Sequence, residues 1–147
     1  MQIATRQFSE TTVATPVGRI DHRNAAEFEA ALMPLLAQAA ERKGALVLDL
    51  SGVDYISSVG LRVLMIAAKQ MRSAHAGLAV AALQSVVAEI FAISRFDKVL
   101  TVCPTLEDAL AHSSDAAQAA YRANNRANNG ANNGANNAGA NNAAGTP

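Results

Sequence analysis

Three short apolar runs set the framework of this chain. ALVLDL (45–50), GLAVAAL (77–83) and VLTVC (99–103) are continuous rather than alternating in hydrophobicity. That is the pattern of strands covered on both faces. Between them lie two stretches of helical spacing, 58–73 and 85–98, the second with Val86, Ile90, Ile93 and Phe96 on one side. Short buried strands alternating with helices imply parallel strands joined by right-handed crossovers. No run approaches the ~20 residues needed to cross a bilayer.

The flanks extend the alternation. RQFSETTVATPVGRID (6–21) reads as a strand or hairpin over about residues 3–20, made irregular or edge-placed by Pro16 and Gly18. NAAEFEAALMPLLAQAAERKG reads as a helix with Asn24 as N-cap, Glu27 as its capping-box partner and Gly44 as the stop. Pro34 removes the bond to the Ala30 carbonyl, so a kink or break is expected there. Pro104 and Thr105 open a last helix, LEDALAH, with acidic charge in its first turn. The expected fold is a small α/β domain with a mixed sheet of four to five strands and about four helices.

Composition changes near His112. Of 11 asparagines, 10 lie between Asn124 and Asn142, in an ANN repeat with little apolar bulk. Such a segment cannot bury enough surface to offset its chain entropy. The expected organisation is a domain over 1–112 and a disordered tail over 113–147, in which DAAQAAYR (115–122) allows a short helical extension. With 12 basic and 12 acidic residues, no overall field draws the chain to nucleic acid or a membrane surface. The single cysteine, Cys103, and a first segment without an apolar stretch point to the cytoplasm.

YISSVGLRVLMIAAKQMR (55–72) carries the candidate site. Ser57 or Ser58 fits the N-cap of the following helix. As nucleophiles the serines lack a G-x-S-x-G elbow, and His22, His75 and His112 have no triad spacing. As a phosphoacceptor, a first-turn serine has a physical case: the phosphate would meet unpaired backbone N–H groups at the positive end of the helix dipole. Along this helix Gly60, Val63, Leu64, Ala67, Ala68 and Met71 form the inner side. Arg62, Met65, Ile66 and Lys69 fall on the outer one, a surface for a partner or one covered by a loop or the tail. Asp49 and Asp54 fit loop acceptors tying down SGVDYISS; a phospho-aspartate site would want an early acidic pair and a later lysine. Cys103 fits packing. No glycine-rich phosphate loop or metal-ligand spacing appears, so no cofactor or metal is expected.

The strand LVLDLSG, the turn-to-helix ISSVGLR, the strand LAVAAL and the segment VAEIFAISRFDKVL together resemble the STAS domain of bacterial anti-sigma factor antagonists, over roughly residues 3–112. The resemblance implies a switchable binding module, not an enzyme. The unmodified domain binds an anti-sigma factor, itself a serine kinase with an ATP site, and so frees a sigma factor; phosphorylation ends the interaction and a serine phosphatase restores it. Aligned on Gly60 and Leu61, the phosphorylated position falls on Ser58, with Ser57 as alternative. Ser57 stands where the best-studied members have aspartate. The partner surface would comprise Ser57, Ser58, Gly60, Arg62, Met65, Ile66 and Lys69. A constitutive STAS scaffold or accessory subunit of a transporter or other signalling complex is the alternative.

Overall fold

A computed structural model describes residues 1–144, with side chains as far as residue 129. Strands β1 (Ala4–Phe8) and β2 (Thr11–Thr15) form an antiparallel hairpin. β2 then pairs in parallel with β4 (Ala45–Asp49), β4 with β6 (Gly77–Ala81) and β6 with β7 (Thr101–Cys103). The mixed sheet has the order β1-β2-β4-β6-β7. β4, flanked on both sides, is buried along its whole length. Its alternate residues divide between two cores. Leu46 and Leu48 join the cluster under α1 (Ala25–Glu41), α2 (Ser58–Ser73) and α3 (Ser85–Ile93). Val47 joins Val13, Ala79 and Cys103 beneath α4 (Leu106–Ser113) and the start of α5 (Asp115–Ala144).

A second, two-stranded sheet was not visible in the sequence. β3 (Gly18–Ile20) pairs in parallel with β5 (Val53–Ile56), so part of the expected SGVDY turn is a strand.

The helices depart from expectation in α1 and α3. α1 runs unbroken across Pro34 because that residue and Ala30 are both exposed, which leaves the orphaned carbonyl to water. Its capping box does not form. Asn24 Oδ1 accepts the Asp21 N–H at 2.9 Å and its amide donates to the Arg19 carbonyl, while Glu27 pairs with the Met1 ammonium at 3.0 Å. The left-handed turn after α1 is made by Lys43 (φ 53°), not Gly44; the Gly44 N–H closes onto the Ala39 carbonyl at 2.9 Å. In α3 the inward residues are Val87 and Phe91, whereas Val86 and Ile93 are 50% and 84% exposed. The helix stops at Ile93, Arg95 turns left-handed (φ 58°), and Phe96 comes back in a single 3-10 turn to pack edge-on against Phe91 at 5.8 Å.

α4 starts on a Thr105 cap, whose hydroxyl accepts the Asp108 N–H at 3.1 Å. α5 begins on Ser114, which caps Ala117. Ala117 is fully buried, Tyr121 stands edge-on to Phe8 at 5.5 Å, and Arg122 pairs with Glu107. The packed body therefore runs past residue 112 to the end of the DAAQAAYR segment. Across the ANN repeat the helical backbone continues to Ala144, and no side chain from Ala123 to Asn129 is buried. Among the described residues no helix is long and apolar enough to cross a membrane.

Candidate functional site

The β3–β5 ribbon is a mount for the start of α2. β5 delivers the chain to Ser57, whose N–H donates to the Ile20 carbonyl of β3 at 2.8 Å. Ser57 is extended (φ −87°, ψ 173°), and its hydroxyl accepts the Gly60 N–H at 3.3 Å. It is the N-cap. Ser58 is the first helical residue; it is exposed, and among the described residues its hydroxyl has no hydrogen-bond partner. The Ser58 and Val59 amides, at the positive end of a 16-residue helix, likewise have no acceptor there.

Gly60 does not share that surface. It is buried, and a Cβ on it would lie 2.7 Å from Ile56 Cγ1 and 2.8 Å from Ile20 Cγ2. Its lack of a side chain lets the first turn of α2 sit on the ribbon, and so places Ser58; it offers a partner nothing directly. Met65 is also turned inward, half-buried against the main core. What remains outside is Val59, Arg62, Ile66 and Lys69. Val59, Arg62 and Ile66 face Ala26 and Glu29 of α1 across a shallow groove of about 360 Å³. Among the described residues neither Arg62 nor Lys69 is in an ion pair, and nothing from α5 covers Ile66.

Asp49 and Asp54 separate. Asp49 is buried and its Oδ1 accepts the Ser51 N–H at 3.0 Å, tightening the turn out of β4. Asp54 sits exposed within β5 and its carboxylate has no hydrogen bond among the described residues, so it does not tie the turn. Three or more metal-ligating side chains come together nowhere among the described residues. Cys103 is buried in the second core, where burial and then the charge of Asp108 push its thiol pKa up.

Sequence reasoning missed the supports of the mount. Arg19 pairs with Asp21 at 2.8 Å and stacks 4.0 Å over the Tyr55 ring. The Arg23 backbone N–H, then the Arg19 guanidinium, hold the Asp21 carboxyl below the usual range. The available signal was the two-residue spacing of Arg19 and Asp21, which puts both on one side of an extended chain.

A family model described as the STAS domain matches residues 2–109. The chain belongs to the STAS domain family. BtrV of Bordetella bronchiseptica, named as a proposed anti-sigma factor antagonist, is 35% identical over 122 residues, covering 83% of this chain and 96% of BtrV. The anti-sigma factor antagonist from Mycobacterium paratuberculosis is 28% identical, with a TM-score of 0.70 over 78% of this chain and 94% of that one. The Bacillus cell fate determinant SpoIIAA in its phosphorylated form shares the fold at 13% identity, with a TM-score of 0.54 over 76% of this chain and 98% of that one. By its relatives this STAS domain falls among the anti-sigma factor antagonists. Two of the four segments on which the resemblance was read, LVLDLSG and ISSVGLR, build the β4 turn and the Ser57–Gly60 corner.

Proposed function

We propose that this STAS domain is a phosphorylation-controlled anti-sigma factor antagonist of the cytoplasm, acting by binding and not by catalysis. Unmodified, it docks an anti-sigma factor that is also a serine kinase, through the exposed start of α2 and the α1–α2 groove, and a sigma factor is released. Transfer of phosphate to Ser58 ends the interaction, and a serine phosphatase restores it. The supporting observation is the division of labour between the serines: Ser57 is committed to the cap, while Ser58 presents a free hydroxyl beside unpaired amides. A phosphate there is held by the helix end and would not disturb the core. It would place nearly two negative charges, by the usual second pKa, on the rim of the groove. Coupling of only ~1–3 kcal/mol between phosphate and partner makes a working switch.

The test is binding of the purified chain to the anti-sigma factor kinase of the same genome. Ser58→Asp should lose binding and Ser58→Ala should keep it, and incubation with ATP should put one phosphate on Ser58. Tight binding by Ser58→Asp would refute the switch. Recovery of a transporter subunit in place of a sigma regulator would favour a constitutive scaffold.

A further inference from the structure

At the other end of α2 from Ser58, a cleft of about 370 Å³ opens where α4 gives way to α5. Its floor is the amino end of the central strands, on the α4 side of the sheet. Further along the same face Val13, Val47 and Cys103 meet Leu106 and Leu110. In the cleft the strands carry only small side chains: Thr11 pairs with Ala45, Ala45 with Gly77, and Thr101 lies beside Ala79. α4 ends at Ser113, so no large side chain fills the space.

The rim is basic. Lys43 and His75 are the left-handed residues that end α1 and α2 (φ 53° and 54°), and His112 lies in the last turn of α4. Opposing them is Glu10, whose carboxylate is engaged by the Ser9 hydroxyl. Basic side chains at helix C-termini complement the dipole, which accounts for these residues one by one. It does not account for Thr11. That residue is 1% exposed and its Oγ1 is the buried side-chain polar atom without a hydrogen-bond partner among the described residues. By strand alternation with Val13 its side chain lies on the cleft side. Buried hydroxyls are seldom left unpaired, and each exception asks for an explanation.

We propose that this cleft binds a small polyanion bearing carboxylate or phosphate groups, with Lys43, His75 and His112 on its charges and the Thr11 hydroxyl, after rotation about χ1, on one oxygen. Nothing in this depends on Ser58 or on the anti-sigma reading. The test is amide NMR of the full chain titrated with sodium phosphate and with sodium citrate, against sodium chloride at matched ionic strength. At least one of the two anions should give saturable shifts centred on Thr11, Gly44, Gly77 and Ser113. Lys43→Asn, which tolerates the left-handed backbone, should weaken binding about tenfold, the loss of one charge-assisted contact. Thr11→Val should weaken it about threefold while raising the denaturation midpoint of the empty chain, since it deletes an unpaired hydroxyl at constant shape. Shifts that do not saturate with either anion, that spread over the surface, or that persist unchanged in Lys43→Asn would overturn the site.

Discussion

The Ser57 hydroxyl accepts the Gly60 amide at 3.3 Å, and that bond distinguishes two adjacent serines of the same chemistry. Ser57→Ala should cost about 1 kcal/mol in urea denaturation, the usual effect of losing an N-cap. Ser58→Ala, at an exposed site without a partner, should stay within about 0.5 kcal/mol. Kinase treatment should then phosphorylate Ser57→Ala and leave Ser58→Ala unlabelled. A larger stability loss in Ser58→Ala would reverse the assignment of the cap.

Two glycines should respond unequally to alanine. At Gly60 the new Cβ meets Ile56 Cγ1 and Ile20 Cγ2 at 2.7 and 2.8 Å, side-chain atoms that can shift. Overpacking of about 1–3 kcal/mol, partly offset by about 1 kcal/mol of helix propensity, leaves a modest loss. At Gly44 the Cβ would sit 2.0 Å from the Glu10 carbonyl oxygen, which belongs to the β1–β2 turn and has no rotamer to change. Gly44→Ala should therefore lose more stability, upwards of about 3 kcal/mol. Urea midpoints at constant slope give the order directly.

Acid should weaken the mount of Ser57. In the fold the Arg23 amide and the Arg19 guanidinium hold the Asp21 carboxyl below its usual value of 3.8. The unfolded chain therefore takes up this proton first. The contribution of Asp21 is complete above that unfolded value and disappears as pH falls through the lower folded one. Asp21→Asn should be less stable than the natural chain at neutral pH, and the difference should shrink as pH drops below about 4. A constant difference down to low pH would show that Asp21 acts by packing alone. Arg19 is 60% exposed, so added salt should reduce only a small part of the effect.

Much of this architecture was legible because it is local. α2 runs over the residues its spacing marks, since one apolar stripe, a serine cap and a left-handed exit agree. The α3 face was misread because VVAEIF offers two apolar stripes one residue apart, Val86–Ile90–Ile93 and Val87–Phe91. Which one turns inward depends on where the helix ends and on Phe96 folding back onto Phe91, and neither is in the spacing. The β3–β5 ribbon was hidden because VDYI is short and its partner lies far back in the chain. The site was half legible for the same reason. Ser57, Ser58 and Arg62 follow from the helix start, and the helical spacing already sets Gly60 on the inner side, whereas the inward turn of Met65 comes from packing against the core.

The outer face of α2 gives a contrast between neighbours. Ile66 is 36% exposed in the α1–α2 groove, while Met65 packs against the core. If the groove docks the anti-sigma factor, Ile66→Asp should weaken binding about tenfold or more at nearly unchanged stability. Met65→Ala should do the opposite, costing about 1–2 kcal/mol of stability with a smaller effect on binding. Calorimetric titration beside thermal melts separates the two, and equal binding by Ile66→Asp would move the interface elsewhere.

Truncation locates the end of the folded body. A chain stopped after Ser114 loses the fully buried Ala117, the edge-on contact of Tyr121 with Phe8, and the Arg122–Glu107 pair. It also bares Phe8, at the end of the β1 edge strand, to water. The aromatic pair contributes about 0.5–1.5 kcal/mol beyond its area, and burial of Ala117 and part of Tyr121 adds about 1–2 kcal/mol. The exposed ion pair adds little. A chain stopped after Asn129 keeps all of these contacts, and Ala123 to Asn129 bury no side chain. The shorter chain should thus melt several degrees lower, with faster amide exchange in β1, and the longer one should match the full chain. Identical melting of both truncations would mean that the first turns of α5 are not docked on β1 in solution, and that the domain closes at α4.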